Sequence, residues 1–296
     1  MKTESIKTEY VTDDSGQPVD VRQLPGAREH LAYFTVTQGA CSDGKNIYMV
    51  FERKEKDGRT QCCRIVKLDA KTFSVVRVSG ELSIGHGNGM TYHDGTLYVT
   101  NSSGIYTKTG KSKDLRKAYS ICRVIHTVDA ETLRQGSDIK VRGMRGRNEN
   151  SIRAFNGIAY EKDTGGFLLR CMWRTDMIRT DSNFVRTGSF RIPRLSPTSR
   201  FGIDSQSMDW NDGKIYRAYS MLQSTEKNYI AEYDRSGRLI TRLRLDMGTP
   251  CELESVFFIG NTMYGTVYKR DDCADGTCHC HAYLINIPSL CVDKLL

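Results

Sequence analysis

An all-β fold, a five-bladed β-propeller with four antiparallel strands per blade around a central channel, is the class this sequence predicts. Three observations carry the prediction. Five segments repeat a polar residue, a small residue and an apolar stretch: Gln38-Gly39-Ala40, Asn88-Gly89-Met90, Asn156-Gly157-Ile158, Gln206-Ser207-Met208 and Glu254-Ser255-Val256. Each copy then turns into a second strand, with Asp43-Gly44, Asp94-Gly95, Asp212-Gly213 and Gly260-Asn261 as the hairpin signals, because Gly, Asp and Asn accept the positive φ of tight turns. The first residues of the copies are spaced 50, 68, 50 and 48 apart, with 42 residues after the last, which is the period of a four-stranded blade.

The elements follow in order. Residues 1–30 form an N-terminal extension and 31–296 a single propeller domain, with blades starting near 38, 88, 156, 206 and 254. Ala32–Val36 can add a closing strand or pack along the side. Third and fourth strands are read at Cys63–Asp69 and Phe73–Val78, and at Tyr229–Asp234 and Leu239–Leu245. The 88–156 interval exceeds its neighbour by 18 residues, too few for another blade, so the excess is loop. No helix of consequence is required; Lys113–Tyr119 supplies at most a turn or two.

Composition excludes several classes. With 39% hydrophobic and 26% charged residues in a chain of 296, there is enough apolar material for a real core and no signature of disorder. No apolar run approaches the ~18 residues of a membrane helix, and residues 1–14 lack the apolar centre of a secretory signal. A cytoplasmic monomer with reduced thiols is expected. Ten cysteines are present. Cys41, Cys122, Cys171 and Cys291 lie in apolar stretches and read as small buried hydrophobes, whereas of adjacent Cys62 and Cys63 a strand buries at most one. The cluster Cys273, Cys278, Cys280 with His279 and His281 offers soft ligands for zinc, a redox pair, or simply a loop.

In a propeller the innermost strand of each blade starts at one mouth of the channel. Gln38, Asn88, Asn156, Gln206 and Glu254 therefore converge as a ring of amides closed by a carboxylate. Strand alternation places Val36, His86, Ala154, Asp204 and Glu252 as a second tier, and Ala40, Met90, Ile158, Met208 and Val256 between blades. Three chemistries compete for this mouth. His86 can act as general base or acid with Glu252, Glu254 or Asp204 as its partner. Asn88, Asn156 and Glu254 offer the oxygens calcium prefers. A polar plug that merely holds the blades in register is the third.

The stretch Gly85-His86-Gly87-Asn88-Gly89-Met90-Thr91-Tyr92, followed by Asp94-Gly95-Thr96-Leu97-Tyr98-Val99, resembles a motif of bacterial propeller proteins of unassigned activity. Gln38-Gly39 and Glu254-Ser255 look like its sister motifs. The axial oxygens resemble the single-calcium centre of six-bladed lactonases and phosphotriesterases, which implies a calcium-dependent hydrolase. Five-bladed propellers as a class include tachylectin-like sugar binders and furanosidase glycoside hydrolases. The latter similarity implies acid, base and nucleophile roles among Asp204, Glu252 and Glu254.

The net charge of +8 has an address. Residues 101–118 carry +4 and residues 142–153 carry +3, and both are expected at the channel mouth, followed by Arg170, Arg174 and Arg179 from the next blade, beside Trp173. Arginine forks there suit a small anionic molecule or an acidic peptide. No nucleic-acid module is visible, and no P-loop, dinucleotide fingerprint or nucleophile elbow occurs. The residue pattern thus predicts a hydrolase or lyase. His86, Glu254, Glu252 and Asp204 carry the chemistry, and Gln38, Asn88, Asn156, Gln206, Arg153, Arg170 and Trp173 hold the ligand. A non-catalytic ligand- or protein-binding propeller is the alternative.

Overall fold

The computed structural model describes residues 4–54, 60–101, 124–144, 154–171, 176–193, 204–220, 228–272 and 278–287. Two short strands, β1 (Glu4–Lys7) and β2 (Glu9–Tyr10), precede a 3-10 turn at Val21–Gln23. Five sheets follow. Blade 1 is β3 (Val36–Ser42), β4 (Asn46–Lys54), β5 (Thr60–Asp69) and β6 (Val75–Val78). Blade 2 is β7 (Gly89–His93), β8 (Thr96–Thr100), β9 (Val124–Asp129) and β10 (Ile139–Lys140). Blade 3 is β11 (Phe155–Glu161), β12 (Gly166–Cys171), β13 (Asp176–Thr180) and β14 (Arg186–Arg191). Blade 4 is β15 (Asp204–Asn211), β16 (Lys214–Ser220), β17 (Tyr229–Asp234) and β18 (Leu239–Asp246), with β1 added in parallel at its edge. Blade 5 is β19 (Glu252–Ile259), β20 (Thr262–Asp272) and β21 (Cys278–Ile287), completed by β2. The protein is a five-bladed β-propeller. Among the described residues no helix is long and apolar enough to cross a membrane.

The turns obey local chemistry. Asp94 (φ 45°) and Gly95 (φ 74°), like Asp212 (48°) and Gly213 (72°), take the paired positive φ values of a two-residue hairpin. Between β3 and β4 the loop has three residues, and the Asp43 carboxylate holds it by accepting from the Lys45 N–H at 2.8 Å and the Asn46 N–H at 2.6 Å.

The ring closes differently from the sequence expectation. The fourth strand of blade 5 is β2, not Ala32–Val36; Val36 already begins the inner strand of blade 1. Residues between them are strapped down by Arg22, whose guanidinium donates to the carbonyls of Phe34 (3.2 Å), Leu31 (3.4 Å) and Cys280. Pairing the N-terminal strand with C-terminal strands removes the open edges that an unclosed ring would leave at its first and last blades.

The core is divided among the blade junctions. The second residues after the repeated polar position, Ala40, Met90, Ile158, Met208 and Val256, fall one into each of five apolar clusters, as their position predicts. Cys41 and Cys171 are buried, while Cys122 and Cys291 lie outside the described residues. Cys62 and Cys63 are both buried, against expectation, because each interior strand of a blade is covered by a neighbouring blade on both faces. Cys62 joins the cluster shared with blade 5 and the N-terminal strap, and Cys63 the one shared with blade 2.

At the axis two of the small residues have no room for a side chain. A Cβ on Gly39 would stand 2.7 Å from the Gly87 carbonyl, and one on Gly89 would stand 2.7 Å from the Gly157 Cα and 2.8 Å from Thr100 Oγ1. Side-chain oxygens then staple adjacent inner strands: Ser207 Oγ accepts from the Val256 N–H (3.1 Å), and Thr91 Oγ1 from the Tyr160 N–H (3.2 Å). Gly89→Ala should cost about 2 kcal/mol or more, since the β11 backbone at Gly157 and Ile158 and the Thr100 hydroxyl must all move to admit the methyl. Gly188→Ala, where a Cβ meets nothing within 4 Å, should stay within about 0.5 kcal/mol of the parent in denaturant titration. Equal effects would contradict the axial-crowding account.

Candidate active site at the channel mouth

Four inner strands skip register at or beside the repeated polar residue. The breaks fall between Thr37 and Ala40, Phe155 and Gly157, Ser205 and Met208, and Leu253 and Ser255. In blade 2, β7 begins one residue after Asn88. A bulge re-aims its residues and interrupts alternation, so the second tier expected from strict alternation does not hold as a set. Val36 packs with Tyr268 and Cys280, and Ala154 is fully buried. Glu252 instead joins the ring, accepting from Gln206 Nε2 at 2.7 Å. The Asp204 backbone pairs with Ser220, and its side chain lies outside the described residues. Gln38, Asn156 and Glu254 are all more than nine-tenths buried.

His86 is held with unusual completeness. It stands between Gly85 and Gly87, both at positive φ (65° and 67°). Neither glycine can be replaced without collision, since a Cβ on Gly85 would overlap the Asn101 side chain and one on Gly87 would press on Val50. The His86 N–H donates to Asn101 Oδ1 (2.9 Å), the Gly85 carbonyl accepts from the Cys63 thiol (2.6 Å), and the Gly87 carbonyl accepts from the Gly39 N–H (2.9 Å). The imidazole Nδ1 lies 2.5 Å from Glu52 Oε2. Glu52 is fully buried near the end of β4, opposite Val36, while the His86 side chain keeps 22% of its surface accessible. A carboxylate on Nδ1 fixes the tautomer with Nδ1 protonated and leaves Nε2 as the proton acceptor.

The partner in this pair was not among the sequence candidates, which looked for carboxylates on inner strands. Glu52 is on a second strand of the neighbouring blade. Its one sequence signal is a carboxylate at the end of the apolar run Ile47–Phe51, just before the basic Arg53-Lys54.

A second group lies at the junction of blades 3 and 4. Asn156 sits in the β11 bulge, 7% exposed, with its Oδ1 buried and accepting no hydrogen bond among the described residues. The next residue, Gly157, is the register partner of half-buried Arg170, and a Cβ there would come within 3.2 Å of the Arg170 Cβ. Behind them Arg217 stacks over Tyr219 (4.8 Å), whose hydroxyl bonds that of Tyr233 (2.7 Å). Burial pushes the Tyr233 phenol up, while Arg217 and Arg170 pull against it. Arg153 and Trp173, and the basic residues expected in 102–118 and 145–153, lie outside the described residues.

The metal candidates separate. Cys280 is buried with its sulfur 3.3 Å from the Tyr268 hydroxyl; Cys273 and the Cys278 side chain lie outside the described residues. His281 spends Nδ1 on Asp20 at 2.8 Å. Among the described residues no three His, Cys, Asp or Glu side chains gather in a way that could hold a metal ion.

No protein-family model and no curated protein matches the sequence. Solved structures do match it in fold. The tail fibre of Staphylococcus aureus phage P68 superposes with a TM-score of 0.52 at 11% identity, over 88% of this chain and 52% of that one. The RS223 β-xylosidase gives 0.50 at 11% identity over 87% and 93% of the two chains. The GH43_1 enzyme of Xanthomonas citri gives 0.52 at 10% identity over 87% and 89%. The chain thus spans about half the length of the tail fibre and nearly the whole of the two enzymes.

Further down the channel, Asp209 accepts from the N–H groups of Trp210 (2.8 Å) and Phe258 (3.2 Å). Burial pushes its carboxyl up to about 7, with the two backbone bonds and Lys162 opposing. The folded protein therefore holds this proton to higher pH than the unfolded chain does. Between 3.8 and about 7, this group makes stability fall as pH rises, and above that the cost is constant. Asp209→Asn should flatten that part of a melting-temperature-against-pH curve and raise the melting temperature most at pH 8. An unchanged slope would assign the proton elsewhere.

Proposed function

We propose that the channel mouth is a hydrolase active site for a small anionic molecule, with His86 moving the proton and Glu52 orienting it. The observation that carries this reading is the 2.5 Å Glu52–His86 contact, made by a fully buried carboxylate on an imidazole that remains accessible. A buried carboxylate is costly unless it is well paired, and pairs of this kind gather at functional sites. The conformation of the Gly85–Gly87 segment keeps the ring from relaxing away.

In the reaction, His86 Nε2 takes a proton from water as the water oxygen attacks the substrate. The resulting imidazolium is stabilised by Glu52 and returns the proton to the leaving group as its bond breaks. Buried Glu254 and half-buried Glu252 add carboxylates to the mouth, and half-buried Arg170 is the candidate positive pole for an anionic substrate. The fold is shared with a β-xylosidase and a GH43 enzyme, so a hydrolase on this architecture has precedent. The catalytic groups must still be argued from this chain's own residues.

The test is a panel of chromogenic esters, phosphate esters and glycosides. On any substrate turned over, His86→Ala should lower kcat/KM by about 10²- to 10⁴-fold. Glu52→Gln should lower kcat with little change in KM, and circular dichroism should show the fold retained. Undiminished turnover in His86→Ala would remove the histidine from the mechanism. A ligand that binds without being consumed would favour a recognition propeller instead.

A further inference from the structure

Glu52 fixes the imidazole of His86, but a side chain also goes wherever its backbone goes. Two glycines flank His86, and lacking a Cβ neither resists rotation into other conformations. The segment is instead gripped from two blades. From blade 2, Asn101 follows β8 directly and is 2% exposed. Its Oδ1 accepts from the His86 N–H at 2.9 Å, and its carboxamide fills the space a side chain on residue 85 would need. From blade 1, Cys63 is the register partner of Glu52 on the adjoining strand, so thiol and carboxylate share one face of that blade. The thiol donates to the Gly85 carbonyl. Burial and the neighbouring Glu52 charge push this thiol well up, which keeps on the sulfur the proton that the bond requires.

From this arrangement we infer that Asn101 is a positioning residue for His86, with Cys63 as its counterpart across the seam. Glu52 sets the tautomer of the ring, and Asn101 sets where the ring stands. By holding the one amide between the two glycines, it fixes the direction from which Nε2 meets a substrate. A displacement of about 1 Å in a reacting group is enough to lose on the order of 10²-fold in rate. This deepens the hydrolase reading and rests on it for the kinetic effect, not for the anchoring itself.

The experiment reads the imidazole directly, by proton NMR of the full chain carrying isotope-labelled histidine. A ring N–H held on a carboxylate gives a far-downfield signal that exchanges slowly with water. The His86 signal is the one missing from His86→Gln. In Asn101→Ala it should be lost or broadened by exchange. The signals of His126 and His281, whose Nδ1 atoms also meet carboxylates at 2.7 and 2.8 Å, should persist and report that the fold is intact. Asn101→Asp, which keeps an acceptor of the same shape, should retain the His86 signal. A sharp, protected His86 signal in Asn101→Ala overturns the inference. Should Asn101→Ala not fold, all three signals vanish together, and Asn101→Leu, which fills the space without an acceptor, decides by the same reading. On any substrate turned over, Asn101→Ala should lower kcat by about 10- to 100-fold and leave KM within about 2-fold. A lost signal with undiminished turnover sinks the His86 proton transfer and not the anchoring. A retained signal with lowered turnover sinks the anchoring alone.

Discussion

Close approach of five backbones around one axis is the constraint from which the rest of the structure follows. Where inner strands pass within van der Waals distance of each other's carbonyls and Cα atoms, as Gly39 does of Gly87 and Gly89 of Gly157, a side chain cannot be accommodated. Small residues therefore occupy that level in every blade. The chain adjusts by bulging at or beside the preceding residue in four of them, which pulls a polar side chain out of strand alternation and toward the mouth. Two residues later the strand is regular again and its apolar side chain enters a blade junction. The polar ring and the hydrophobic core are thus two results of the same crowding.

The chemistry concentrates at junctions between blades for a related reason. Glu52 belongs to the second strand of blade 1, and His86 to the segment that enters blade 2. Their contact spans a seam that is apolar below, with Val50, Met90 and Val99, and opens toward the mouth. A carboxylate placed there loses its water to the neighbouring blade and must find a partner within the protein. Blade 3 and blade 4 make a second such seam with the opposite charge, where Arg170 and Arg217 sit among tyrosines. One seam therefore holds a carboxylate–imidazole pair and another holds arginines among tyrosines.

Much of the architecture was legible because it depends on short-range pattern. Asp-Gly turns mark hairpins, and polar-small-apolar triplets mark inner strands whatever surrounds them. Tyr229–Asp234 and Leu239–Leu245 lie where their alternation placed them. The site was less legible. Alternation is a local rule, and it cannot show that the strand bulges at the very residues of interest. Hence Val36 and Ala154 turned out to be packing residues while Glu252 joined the polar ring. Cys62 and Cys63 were misjudged for a similar reason: a single strand has two faces, and only the stack of blades decides that both are covered.

By itself the sequence determined the number of blades and the inner hairpins that begin most of them. These follow from periodicity and turn chemistry, which act over a few residues. Tertiary structure alone decided that β2 closes the ring, that Glu52 meets His86, and that both Cys62 and Cys63 are covered. Each of these depends on which distant segments are brought within a few ångströms, and that proximity is set by the closing of the ring, not by any local preference of the chain.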